Sequence, residues 1–295
     1  MRASSFLLTF MLLGATFLLS APVARADSSA DLKAAIALFE SRQYPDARAA
    51  LEKIVTLEPA NATACHYLGR VLIARNDQAA FADGLKWLAR AAELDPGNAV
   101  FLGVYGGASL QQAGRTSSLS AATKGRDAME KAIAINPGYL DAREGLFQFY
   151  LRAPWPIGSA AKAAAQLDGI RERDPERAAA LEIASKANAK DYPGAFQLCG
   201  AALERNPDNY IVLYQYGRTS SISGSQLERG LACLQRCLTL EPPTPASPAH
   251  TQVWHRIGAI QEKLGRVADA RVAYQTALGL DPGNRPASDA LARLK

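Results

Sequence analysis

Aromatic side chains make up only 7% of this 295-residue chain, and it holds just three histidines and four cysteines. An apolar share of 48% that leans on alanine rather than on valine, isoleucine and aromatics favours closely packed helices over a β-sandwich. With 21% charged residues the composition is that of a folded chain, not a disordered one. No run of basic residues occurs, and lysines and arginines are scattered among acids, so the dense cationic stripe of a nucleic-acid binder is missing. Zinc-protease helix motif, serine elbow, phosphate loop and dinucleotide fingerprint are all absent, which argues against an enzyme and against a cofactor. Cys65 and His66 are adjacent, and neighbours on a helix point apart. Cys233 and Cys237 share a helix face, but no second Cys or His pair has ligand spacing, so no metal site is expected.

The one long apolar run lies at the N-terminus. Arg2 supplies a short positive segment, Phe6 to Leu19 is almost continuously apolar, Pro22 breaks it, and Ala24-Arg25-Ala26 offers small residues around a cleavage point. The run is shorter than the roughly 20 residues of a spanning helix. Residues 1–26 therefore read as a signal peptide cleaved after Ala26, leaving residues 27–295 as an exported chain, periplasmic or secreted, with no transmembrane segment. No Cys follows the cleavage point, so a lipid anchor is not indicated. Two of the five net positive charges, Arg2 and Arg25, lie in this acid-free leader, so the mature chain carries +3.

Along residues 27–295 a helix-stopping motif recurs, with its proline at Pro59, Pro96, Pro137, Pro175, Pro207, Pro242 and Pro282. Proline lacks the amide hydrogen and disfavours helical geometry in the residue before it. Twelve residues before each proline stands a small residue, from Ala47 and Gly84 to Ala270. Eight before it stands a larger apolar or aromatic one (Leu51, Leu88, Met129, Leu167, Cys199, Leu234, Tyr274). Five before it stands Ile, Ala or Cys in every unit. Steps of four and three residues mark one face of an α-helix. A second helix precedes each of these, marked by glycine in Leu68-Gly69, Tyr105-Gly106, Gly145, Tyr216-Gly217 and Ile257-Gly258. Glycine inside a helix costs about 1 kcal/mol relative to alanine, so its recurrence implies a neighbouring backbone too close for a side chain.

These residues resemble the tetratricopeptide repeat family. The last unit follows its spacing closely, with Trp254, Ile257-Gly258, Gly265, Ala270, Tyr274, Ala277, Leu280 and Pro282. The first and fifth units lack the glycine, Arg173 and Arg205 replace the apolar residue two before proline, and the second, third, fourth and sixth carry extra residues between their helices. The resemblance implies an all-α fold, a right-handed superhelical solenoid of about seven helical hairpins, closed by a C-terminal capping helix over Ala287 to Lys295. In the family the first helix of each unit lines a concave groove where peptides or helices dock. Carrying the register across puts His66, Arg70, Tyr139, Phe149, Tyr150, Tyr214, Arg218 and His255 on or near that surface, and arginine beside large aromatics is the chemistry of binding hot spots. Trp155, held between Pro154 and Pro156 in the inter-helix loop of the fourth unit, is a further anchor candidate. The lysine- and asparagine-rich carboxylate clamp of chaperone-binding members is not matched.

Two more features stand outside the pattern. Gly114-Arg115-Thr116-Ser117-Ser118 is nearly duplicated by Gly217-Arg218-Thr219-Ser220-Ser221, which reads as a shared turn or cap. Pro242 to Pro248 reads as an extended spacer. Cys199 and Cys237 sit at repeat core positions, so buried thiols are expected, with a bridge from Cys199 to Cys233 or Cys237 as the competing reading. The functional expectation is a non-enzymatic adaptor of the bacterial envelope that binds a protein or peptide partner in its groove. A glycan-binding scaffold and a hydrolase with an unrecognised site are the alternatives.

Overall fold

A computed structural model describes residues 28–74, 77–154, 157–244 and 247–294. Residues 1–26, where a leader is expected, lie outside the described residues, and so does Trp155. Fifteen helices, and no strand, occur among the described residues. They form two compact units that divide between Pro96 and Gly97.

The first unit holds α1 (Ser28–Glu40), α2 (Tyr44–Leu57), α3 (Ala62–Ala74) and α4 (Gln78–Leu94). Here α1 pairs with α2 and α3 with α4, α2 packs on α3, and the first helices α1 and α3 touch side by side. The second unit holds α5 (Ala99–Thr116), α6 (Leu119–Ile135), α7 (Leu140–Arg152), α8 (Ala160–Arg171), α9 (Pro175–Asn188) and α10 (Tyr192–Arg205). It continues with α11 (Tyr210–Ser223), α12 (Leu227–Cys237), α13 (His250–Lys263), α14 (Val267–Leu280) and α15 (Arg285–Arg293). Each odd helix through α13 pairs with the helix that follows it, and each second helix packs on the next first helix. Within each unit this is the stacked hairpin order of an α-solenoid.

The proline motif both stops one helix and starts the next. The amides of Glu58, Asp95, Asn136, Asn206 and Asp281 donate back to carbonyls four residues earlier, closing the last turn. Two residues after the proline, Asn61, Asn98, Asn209 and Asn284 accept from amides of the following helix at 3.0–3.2 Å, the behaviour of N-cap residues. The fourth unit departs from this. There α8 ends at Arg171, Pro175 opens α9 directly, and Asp174 caps it through the Arg177 amide at 2.9 Å. That shorter connection goes with the closest proline spacing, Pro175 to Pro207, of 32 residues.

All three repeated core positions are buried in all seven hairpins, from Ala47, Leu51 and Ile54 to Ala270, Tyr274 and Ala277. The small residues permit close backbone approach. A Cβ added at Gly69 would stand 2.8 Å from the Gly84 carbonyl oxygen, and one added at Gly84 would stand 2.7 Å from that of Gly69. The extra residues of the third unit lengthen its helices: α5 has 18 residues and α6 has 17, where α13 and α14 have 14 each. Helix α15 covers α14, with Ala287 and Ala290 buried against Ala270, Tyr274 and Ala277.

Candidate functional site

The first helices carry the side chains that the sequence marks for contact. In the first unit, Arg70 on α3 places its guanidinium 4.5 Å from the Phe39 ring centroid and 5.3 Å from that of Tyr67. Phe39 and Tyr67 meet edge to face at 5.4 Å, so a cation rests on an aromatic pair that joins α1 to α3. His66, one residue before Tyr67, is 2% exposed. Burial, and then the charge of Arg70, push its pKa down to about 4, so the ring is neutral and packed inside.

On α7 and α9 the charges are spent on one another. Arg177 binds Asp141 at 2.7 Å and Glu144 at 2.6 Å, and Arg143 donates to the Pro137 carbonyl at 3.0 Å. Tyr139 lays its ring against the backbone of α5, where a Cβ at Gly103 would come 2.2 Å from its Cε1. Phe149 is half-buried and lies 5.5 Å from the ring of buried Tyr150. The Tyr150 hydroxyl donates to Glu130 at 2.5 Å, and burial first, then that bond, raise its pKa.

On α11 and α13 the balance differs. Tyr214 is buried, and one turn later half-buried Arg218 donates through Nη2 to Asn188 at the end of α9, 2.7 Å away. Its Nη1 is buried without a partner, and so is Oε1 of Gln215. Burial and then the charge of Arg256 lower the Arg218 pKa. His255, 5.7 Å from the Tyr274 ring, has its pKa lowered by burial, then by Arg256 and Arg293. Arg218 and His255 thus both feel the charge of Arg256, with Tyr214 one turn before Arg218, while His66 and Arg70 belong to the other unit and Phe149 and Tyr150 to α7. Arg256, Asn188 and Gln215 were not marked by sequence reasoning. Arg256 directly follows His255, but repeat spacing does not reveal which cations lack a counter-charge.

The near-duplicate segments fold differently. Ser117 sits at φ +54° and Ser118 caps α6 through the Ala121 amide at 3.2 Å, so the first copy is a turn. The second copy lies inside α11, where Thr219, Ser220 and Ser221 are buried and donate to the backbone oxygens of Gln215, Gln226 and Arg218. The shared-turn expectation fails there because the hydroxyls satisfy themselves within the helix and against α12. All four cysteines are free and buried. No group of three or more metal-ligating side chains occurs among the described residues. No helix among them is long and apolar enough to cross a membrane.

Residues 32–99 and, separately, residues 251–284 match tetratricopeptide repeat families. No curated protein sequence matches the chain. Among solved structures it is similar to a tetratricopeptide repeat protein from Parabacteroides merdae, at 15% identity and a TM-score of 0.63, over 90% of this chain and 98% of that one. It is also similar to yeast Tom70, at 14% identity and a TM-score of 0.68, over 92% of this chain and 55% of that one. The human IFIT1 dimer solved with m7Gppp-AAAA follows at 17% identity and a TM-score of 0.60, covering 91% and 62%. At these identities the likeness is one of fold.

Proposed function

We propose that this chain, which matches tetratricopeptide repeat families over residues 32–99 and 251–284, is a non-enzymatic scaffold that binds a protein segment on first helices of its hairpins, after export to the bacterial envelope. The observation that carries this reading is where unused hydrogen-bonding capacity lies. Gln215 and Arg218 on α11 and Gln261 on α13 each keep a buried polar side-chain atom with no partner. Such atoms cost free energy unless something supplies a bond, and all three stand on first helices of adjacent hairpins. The contacts we assign are Tyr139, Phe149, Arg218 and His255 in the second unit and, separately, Arg70 in the first. Buried His66, Tyr150 and Tyr214 shape the surface beneath them, and Trp155 is a further anchor.

Site-specific photo-crosslinking in intact cells tests this reading. A crosslinker at Phe149 or Glu262, on first helices, is expected to trap a protein that the same group at Leu119 or Val272, on second helices, does not. Trapping from the second helices alone would overturn it. The export reading predicts a mature N-terminus at Asp27, read by sequencing the protein from an envelope fraction. An N-terminus at Met1 would overturn that part.

A further inference from the structure

We propose that the cavity bounded by α12, α13 and α14 binds a small alkylammonium ion, the charged form of a free amine. The site is independent of the partner-binding reading, because second helices form much of its wall. Its volume is about 240 Å³. Buried Ile257, Gln261 and Ala273 make its floor, and half-buried Trp254 with exposed Asp269 and Val272 make its rim. Gln261 is 9% exposed, and its Oε1 has no hydrogen-bond partner. A buried carbonyl oxygen without a donor costs free energy that an entering N–H recovers. The last side-chain torsion of glutamine is soft, so the amide can turn this oxygen to such a donor.

The first unit shows what the chain itself puts at the same place in a repeat. A cavity of about 420 Å³ there is lined by Leu72, Asp83, Lys86 and Trp87, among others. Asp83 and Lys86 stand 13 and 10 residues before Pro96, as Asp269 and Val272 stand before Pro282. Leu72 follows Gly69 by three residues, as Gln261 follows Gly258. Lys86 answers Asp83 at 2.8 Å. In the last hairpin valine holds the place of that lysine, and Asp269 makes no ion pair or hydrogen bond among the described residues. The carboxylate is kept, its cation is gone, and an apolar floor residue is exchanged for an orphaned acceptor. One alkylammonium ion makes good both losses. Its three N–H donors suit a carboxylate and a carbonyl oxygen that line one small cavity. Its stem suits the apolar walls, and its charge is favoured against the Trp254 ring. An anion would meet Asp269 with like charge.

Isothermal titration calorimetry of the full chain with n-pentylammonium chloride tests this, with n-pentanol as the neutral control that keeps a donor and the same stem. The ammonium is expected to bind saturably in the millimolar range, at least about fivefold more tightly than the alcohol, and to weaken as salt rises. Asp269→Asn is expected to bring the two probes to equal affinity. Val272→Lys rebuilds the pairing of Asp83 with Lys86 inside the last hairpin, and is expected to compete with the probe and abolish its binding. Both positions are exposed, so both variants should keep the parent's Tm. Gln261→Leu, which copies Leu72, should weaken the ammonium while leaving the Tm equal or higher. No saturable binding of the ammonium, equal affinity for the alcohol in the parent chain, or ammonium binding unchanged in both Asp269→Asn and Val272→Lys would overturn the proposal. A protein trapped by a crosslinker at Val272 would do so too, by giving the cavity a macromolecular occupant.

Discussion

His66 sits where only a neutral imidazole is tolerated, and that has a consequence for acid stability. Its pKa falls from 6.5 in the unfolded chain to about 4 in the fold. Between those values the unfolded chain binds a proton that the folded chain does not. The contribution is therefore fully present above pH 6.5 and is lost as pH falls through about 4, amounting to about 3 kcal/mol across the window. Urea unfolding of the chain at about pH 7 and about pH 5 should show a fall that His66→Leu removes; an identical fall in the variant would refute it. The thiols carry the opposite sign. Burial pushes Cys199 and Cys237 up to about 12 and Cys233 to about 11, so native stability from these groups is lost only as pH climbs above 9. At about pH 8 the three stay as thiols, the form that does not attack disulfide reagents. A colorimetric disulfide reagent should titrate none of them before denaturant is added, and all of them after. Burial of Cys199 and Cys237 was legible in the sequence because both fall on repeat core positions. That of Cys233, off those positions, follows from α12 packing against α11 and α13 in one core with Phe196, Tyr216 and Leu231.

At the scale of a helix, two glycines predict opposite effects of one substitution. Gly84 in α4 faces the Gly69 carbonyl oxygen across the hairpin, and an alanine methyl there would sit 2.7 Å from backbone that has no easy retreat. Gly84→Ala should therefore destabilise by about 1–3 kcal/mol through overpacking, even though alanine is the better helix former. Gly200 in α10 has nothing within 4 Å of an added Cβ, so Gly200→Ala should stabilise by about 0.5–1 kcal/mol. Thermal unfolding of the pair decides it, and a stabilised Gly84→Ala would end the close-approach argument. The hairpins themselves were legible because twelve, eight and five residues before each proline are fixed by which side of the second helix meets its partner. The proline motif was legible only as a helix stop, and it is the structure that shows Asn61, Asn98, Asn209 and Asn284 also capping the next helix. Helix lengthening in α5 and α6 was not legible either, since residues added between two helices can extend either helix or the loop, and local propensity does not choose.

Across the chain, binding chemistry is harder to read than the fold because it depends on subtraction. Arg177 and Arg218 are both cations on first helices, α9 and α11. Only the folded arrangement decides that Arg177 reaches two carboxylates of α7 while Arg218, on a helix packed beside α13, feels the charge of Arg256. Stability in such a stack is carried by each hairpin and its immediate neighbours, so damage at an end should stay near that end. Helix α15 gives this a direct test. It covers Ala270, Tyr274 and Ala277 of α14 with buried Ala287 and Ala290 and partly buried Leu291 and Leu294. A chain ending at Asn284 exposes that apolar face and also loses the bond from Arg271 to the Leu294 carbonyl, 2.5 Å in the intact protein. Hydrogen exchange should then speed by at least about tenfold in α13 and α14, the equivalent of about 1.4 kcal/mol. Amides of α1 to α4, in the other unit, should keep their protection. Uniform loss of protection along the chain would mean that the hairpins unfold as one cooperative block, and that α15 is a keystone and not a cap.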